Sequence, residues 1–292
     1  MQQISLLLAC SLIVCSPVRA ADDGVRLIYR LPESEVFRYD ASSTLTQQFS
    51  MMDVEMTSLV TTDLELKVTV AETVLSRSTV DVTYDHGRIT TRLIGIRDMP
   101  PQDTTVDLQT VRDLKLRMTI APDGKVITSS IEAAHEDSKQ IMTMLRSTRL
   151  FDRLFTEFPN KPVLQGDSWK LSTRDTTLAP QGLGQVITES TINLTYRGTR
   201  DTLGRSCWVV DFTSQGVHQF GEFSRGDIQM SLEGDGTFIG TSYHDVTTGA
   251  LVASHSELAT IVTMSFTGQQ QTSVPVESHI ILDLHQPKRA GK

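Results

Sequence analysis

The side chains able to support acid–base, nucleophilic or metal chemistry in this chain are seven histidines, a single cysteine outside the first 20 residues, and scattered pairs of carboxylates. His86 sits in Asp85-His86-Gly87 and His135 precedes Glu136 and Asp137, while His218, His244, His255, His279 and His285 are spread over alternating segments. None of them has the H-E-x-x-H spacing that places two imidazoles on one side of a zinc ion, and no cysteine partner is available, so no metal ligand is assigned. One local constellation stands out. His244-Asp245 and His255 with Glu257 flank Thr248-Gly249, and a hairpin there would let the two groups approach for acid–base or metal work.

Nucleophile motifs are missing: there is no G-x-S-x-G, no phosphate-binding glycine loop and no G-x-G-x-x-G. Cys207 adjoins Trp208, Val210 and Phe212, which share one strand face, so the thiol points the other way, with no cation or histidine to lower its pKa. The acid pairs Asp53 and Glu55, Glu136 and Asp137, Glu233 and Asp235 matter only if the fold fixes their separation. No catalytic residue and no cofactor is assigned, and the chain reads as a non-enzyme. A hydrolase assembled from distant His and Asp residues is the weaker alternative.

These groups would be carried mainly by strands. Leu64, Leu66, Val68 and Val70 alternate with Glu65, Lys67 and Thr69, and Leu114, Leu116, Met118 and Ile120 with Lys115, Arg117 and Thr119. Val186 to Tyr196 and Val274 to Leu284 follow the same period of two, which means antiparallel sheet with one buried face and one wet face. Several strands look longer than about ten residues, against a usual five or six, which favours a broad, curved sheet. Asp85-His86-Gly87, Pro122-Asp123-Gly124, Gly234-Asp235-Gly236 and Thr248-Gly249 read as turns. Residues 131–158 break the pattern: Ile141, Met144, Leu145, Phe151, Leu154, Phe155 and Phe158 recur at helical spacings before Pro159, predicting an amphipathic helical segment.

The first 20 residues have an apolar run from Ile4 to Val14 and a Val18-Arg19-Ala20 ending, the pattern of an export signal cut after Ala20. The run is too short for a membrane-spanning helix. Leu7-Leu8-Ala9-Cys10 is like a lipobox, but it lies too early for lipid anchoring through Cys10 to be the preferred reading. Export is therefore expected, to the periplasm or beyond, with no transmembrane segment in the mature chain. Cleavage would remove Cys10, Cys15 and Arg19, leaving 272 residues with 26 Lys and Arg against 35 Asp and Glu, a net charge of −9. An acidic chain with aromatics at 6% of residues does not fit nucleic-acid binding.

Two stretches open alike. With Leu31 opposite Val163, Glu35 falls on Asp167, Phe37 on Trp169 and Arg38 on Lys170. Further on, Val80 to Gly87 falls on Val209 to Gly216, and the Pro122-Asp123-Gly124 turn meets Thr247-Thr248-Gly249. The expectation is an internal repeat: a signal at 1–20, a β-rich half at 21–130, a helical segment at 131–160, a second β-rich half at 161–286 and a basic tail at 287–292. Phe37 and Trp169, near the start of corresponding strands, are read as closing one end of a core.

The Pro162-to-Trp169 stretch ending in Gly166-Asp167-Ser168-Trp169, the Thr248-Gly249-Ala250-Leu251 turn and the closing VESHIILDL strand resemble those of a family of exported bacterial β-rich proteins with no assigned activity. The architecture is also similar to the half-barrel of periplasmic lipoprotein carriers of the LolA and LppX kind, whose concave sheet face holds acyl chains. Those resemblances imply a mainly β (α+β) fold: a large curved antiparallel sheet or half-barrel in two related halves, with one helical segment between them. Such a sheet would leave a concave apolar face, whose expected lining is Met118, Met144, Leu145, Phe151, Phe155, Ile192, Met264 and Phe266. The partner is then an apolar or lipid-like small molecule. The rival reading is that the chain is itself a cell-envelope interaction or scaffold protein that binds a protein partner through its sheet surface.

Overall fold

The computed structural model describes residues 24–51, 54–95, 100–108, 114–132, 154–178, 184–225, 228–267 and 271–288. Among the described residues, alternation of apolar and polar side chains over long stretches gives twelve strands: β1 (Val36–Met51), β2 (Val54–Val74), β3 (Arg77–Ile94), β4 (Gln102–Asp107), β5 (Lys115–Ile120), β6 (Val126–Glu132), β7 (Ser168–Leu178), β8 (Gly184–Thr202), β9 (Arg205–Arg225), β10 (Ile228–Asp245), β11 (Leu251–Thr267) and β12 (Thr272–His285). They form one antiparallel sheet in the order β6-β5-β3-β2-β1-β12-β11-β10-β9-β8-β7, with β4 pairing the remaining part of β3. The first and last long strands meet in the middle, where Ala41 opposes Leu284 and Leu45 opposes Ile280. The two β-rich stretches are therefore halves of a single sheet.

Adjacent backbone amides show that this sheet curls. Tyr29 N donates to Pro122 O at 2.7 Å and Arg30 N to Thr248 O at 2.8 Å. Those carbonyls belong to the β5–β6 and β10–β11 turns, six strand spacings apart, or roughly 29 Å across a flat sheet. Consecutive residues lie only about 3.8 Å apart. The sheet must bend around the arm formed by residues 24–35 to bring both turns to it. We call the enclosed side the inner face, and the end carrying these turns the proximal end.

The proximal inner face is the core. Phe37, Tyr39, Leu64, Leu66, Val82, Leu116, Leu194, Val210 and Leu284 are each 6% exposed or less. The arm and the strap at 154–163 cover them, joined where Val25 pairs with Val163. Leu154, Phe158 and Val163 of the strap are buried. Trp169 packs half-buried against this core and gives its Nε1–H to Glu157 O at 3.0 Å, so Phe37 and Trp169 do close the proximal end.

The helix expected at 131–158 is not found in the described part of that stretch. Ile131 and Glu132 end β6, opposite Leu116 and Lys115. At 154–158 the backbone is turn and irregular: Thr156 N donates to Tyr29 Oη at 2.8 Å and Phe158 N to Asp123 O at 2.7 Å. Amides that a helix would bond internally are committed to other segments. Residues 133–153, with Met144, Leu145 and Phe151, lie outside the described residues.

Two expected turns are also strand interior. Asp85 is the extra residue of a bulge in β3, between the pairs Leu66–Tyr84 and Glu65–His86, and Gly234, Asp235 and Gly236 pair with Val262, Ile261 and Thr260. Neither glycine there, nor Gly87, has a positive φ. They serve close approach instead: a Cβ at Gly234 would stand 2.2 Å from Ile261 O and one at Gly87 2.7 Å from Leu64 Cδ2. The Pro122–Gly124 and Thr248-Gly249 turns form as expected, with φ of 87° at Gly124 and 74° at Gly249.

The two similar openers adopt the same turn. Ser34 has φ 65° and Gly166 φ 97°. Ser34 N donates to Val70 O and Val70 N to Glu35 O; Gly166 N donates to Tyr196 O and Tyr196 N to Asp167 O.

Candidate ligand-binding face

Cross-strand pairing sorts the sheet into rows, because residues directly opposite one another share a face. The core rows at the proximal end give way to a row rich in small polar groups: Ser58, Gln47, Ser278, Thr260, Gly236, Val217, Ser190 and Thr173 on β2, β1, β12, β11, β10, β9, β8 and β7. Gln47 Nε2 donates to Ser278 Oγ at 3.3 Å in this row. The next row toward the distal end reads Met56, Phe49, Val276, Val262, Gly234, Gln219, Thr188 and Asp175. Beyond it lie Val274, Met264, Leu232, Gly221 and Val186, then Phe266, Met230 and Phe223.

Val262, Val274 and Thr188 in these rows are buried, at 5–7% exposure, but most of the other side chains differ from the core. Phe49, Met56, Val276, Met264, Leu232, Phe266, Met230 and Phe223 are only partly buried. Phenylalanine and methionine side chains thus share a curved inner face that is not sealed. Thioethers and rings on one surface accept varied apolar shapes, because methionine has three rotatable bonds and a polarisable sulfur.

Of the residues expected to line a ligand face, Met264 and Phe266 lie on this distal surface. Met118 at 4% exposure and Ile192 at 7% are proximal core. Phe155 packs edge-on against Tyr29, with ring centroids 5.8 Å apart. Phe49, Met56, Met230, Leu232, Phe223 and Val276 were missed. Their signal was period-two alternation within β1, β2, β9, β10 and β12, weakened because Gln47, Gly234 and Gly221 interrupt the apolar set.

His244 and His255 do not meet. His244 faces inward, fully buried, with Nδ1 3.1 Å from Gly249 O and Nε2 3.0 Å from Ser242 Oγ. Burial drives its pKa down to about 4. It is therefore neutral at pH 7, with Nδ1–H donating to Gly249 O and Nε2 accepting from the Ser242 hydroxyl. Phe158 meets the ring edge-on at 5.0 Å. His255 opposes Thr241 on the outer face, where Nδ1 lies 2.7 Å from Asp283 Oδ1 and Nε2 3.3 Å from Glu257 Oε1. The carboxylate of Asp283, aided by Glu257, raises its pKa. A bulge at Tyr243/His244 separates the two registers.

His279 Nε2 lies 3.5 Å from Glu257 Oε2 and His285 Nδ1 3.6 Å from Asp40 Oδ2 on the same outer surface. Among the described residues no set of three or more His, Cys, Asp and Glu is arranged to hold a metal ion. Cys207 is fully buried on the face opposite Trp208, and burial pushes its thiol up to about 11, which makes it a poor nucleophile. Two open depressions also lie on the outer side. One of about 550 Å³ is edged by Asp40, Asp63, Glu65, His86, Arg88 and Asp283. The other, of about 700 Å³, is edged by Ile187, Phe220, Glu222, Ser231 and Glu233.

Fold and site together define a single curled antiparallel sheet with a sealed proximal core and a partly open apolar distal interior. No known protein-family pattern matches the chain, and no curated protein matches it. Among solved structures it is similar to lipovitellin, in a structure titled for its lipid–protein interactions, with a TM-score of 0.49 and 10% identity over 90% of this chain and 26% of that one. The chain thus spans about a quarter of the length of lipovitellin. It is also similar to OccK5 (OpdH) of Pseudomonas aeruginosa, with a TM-score of 0.23 and 7% identity over 86% of this chain and 98% of that one. A DUF1329 family protein of Desulfovibrio piger gives a TM-score of 0.17 and 11% identity over 87% of each chain. No helix among the described residues is long and apolar enough to cross a membrane.

Proposed function

We propose that this chain is an exported, non-enzymatic protein that holds an apolar, lipid-like molecule on the distal inner face of its sheet. The observation that carries the reading is the contrast along one face: proximal rows are sealed by the arm and the strap, whereas distal rows present Phe49, Met264, Phe266 and Phe223 only partly buried. Partly buried apolar side chains clustered on one curved face mark a binding surface more often than an isolated exposed residue does. The amino-terminal export pattern supports an envelope or extracellular setting, where lipids are at hand.

Native mass spectrometry of the mature protein purified from its own envelope, followed by solvent extraction, tests this. A reproducible added mass that extracts as an apolar molecule is the expected result. A clean apo mass with no uptake of offered acyl chains would overturn it and direct attention to protein partners.

A further inference from the structure

The distal row beside the polar row changes character along its length, and this bears on what the face can hold. On β2, β1, β12 and β11 it presents Met56, Phe49, Val276 and Val262. It then crosses Gly234 on β10 and continues as Gln219, Thr188 and Asp175 on β9, β8 and β7. The apolar side is reinforced distally by Val274 and Met264. The polar side is reinforced proximally by Ser190 and Thr173, whose hydroxyls lie 2.8 Å apart. Gly234 leaves no side chain at the change-over.

We infer that the ligand is a single-chain amphiphile lying across the strands, its acyl chain over β2–β11 and an uncharged, hydroxyl-bearing head at Gln219 and Thr188. This rests on the apolar-ligand reading above and adds the chemical class and the orientation. From Met56 on β2 to Gln219 on β9 is five strand spacings, a contour of about 24 Å, the scale of a long acyl chain with its head. A purely apolar molecule would take the partly buried Gln219 amide, beside the already buried Thr188, from water without offering a partner, a cost that a hydroxylated head removes. A chain with 35 Asp and Glu against 27 Lys and Arg disfavours an anionic head.

The test compares uptake of three probes by the purified mature protein: 1-monopalmitoylglycerol, palmitate and hexadecane. Monopalmitoylglycerol is expected to bind at least tenfold more tightly than either of the others. Replacing Thr188→Val with Gln219→Leu, changes of similar volume on strand positions, brings it within about threefold of hexadecane. A monoacylglycerol with a diazirine at the chain terminus labels the peptides carrying Phe49 and Val276, and one with the diazirine on the glycerol labels the peptide carrying Thr188. Equal binding of hexadecane, or labelling in the reverse orientation, overturns the inference while leaving the apolar-ligand reading standing. Failure of all three probes to bind overturns both.

Discussion

Tyr29 and Phe158 stack with ring centroids 5.1 Å apart and planes within 18° of parallel. One ring belongs to the amino-terminal arm and the other to the strap before β7. Their contact therefore joins the two segments that seal the proximal end. Phe158 also meets Trp208 and His244 edge-on, at 6.2 and 5.0 Å, tying the strap to β9 and β10.

Because Phe158 is 3% exposed, truncation to Ala leaves a ring-sized void under the strap. Phe158→Ala is expected to destabilise the protein by about 3–5 kcal/mol, read from urea or thermal unfolding. Tyr29→Phe keeps the stack and removes only the acceptor of Thr156 N–H, with a loss of about 1 kcal/mol.

Gly249 has φ 74°, and a Cβ on it would stand 2.4 Å from Ile28 O. Gly249→Ala combines left-handed strain with displacement of the arm, for an expected loss of roughly 2–4 kcal/mol. Unchanged stability would show that the arm does not lie against the β10–β11 turn.

The β2–β3 hairpin turns through Leu75 and Ser76, with φ of 48° and 63°, and Leu75 is 92% exposed. Neither residue is at ease there, and Leu75 buries almost nothing in exchange. Replacing the pair by Asn-Gly, which suits a two-residue turn with both φ positive, is expected to raise stability by about 1 kcal/mol.

His244 has its pKa lowered to about 4 by burial, below the unfolded value near 6.5. Between those values the unfolded chain binds the extra proton, so stability is full above pH 6.5 and falls as the pH drops toward 4. The loss amounts to roughly 3 kcal/mol. Unfolding free energies measured across this window should show the slope in the wild type and a flatter profile in His244→Gln.

His255 contributes with the opposite sign. Its pKa is raised, first by the hydrogen bond with Asp283 and then by Glu257. The stabilisation is present below the unfolded histidine value and is lost as pH rises through the raised folded value. His279 also faces Glu257, and Thr241 opposes His255 on β10, so removing Asp283 leaves Glu257 as the neighbouring anion. NMR titration should find His255 titrating above a free histidine and returning toward it in Asp283→Asn. No shift in that variant would place the cause elsewhere.

The alternation of Leu64 to Val70, Leu114 to Ile120 and Val274 to Leu284 determined the strands and their buried faces, because period two is a property of the backbone pleat and needs no partner. Pro122-Asp123-Gly124 and Thr248-Gly249 fixed two turns for an equally local reason. Gly234 and Gly236 did not, since glycine serves a positive φ and a close strand approach alike, and only the neighbouring backbone of Ile261 decides which. The spacing of four between Leu154 and Phe158 suits a helix or a strap; the acceptors Tyr29 Oη and Asp123 O, from residues 127 and 35 positions away, decided for the strap. His244 and His255 flank one turn in sequence, and a one-residue bulge together with the pleat put them on opposite faces. Likewise the row from Met56 to Asp175 draws one residue from each of eight strands, so its passage from apolar to polar exists only once the register is set.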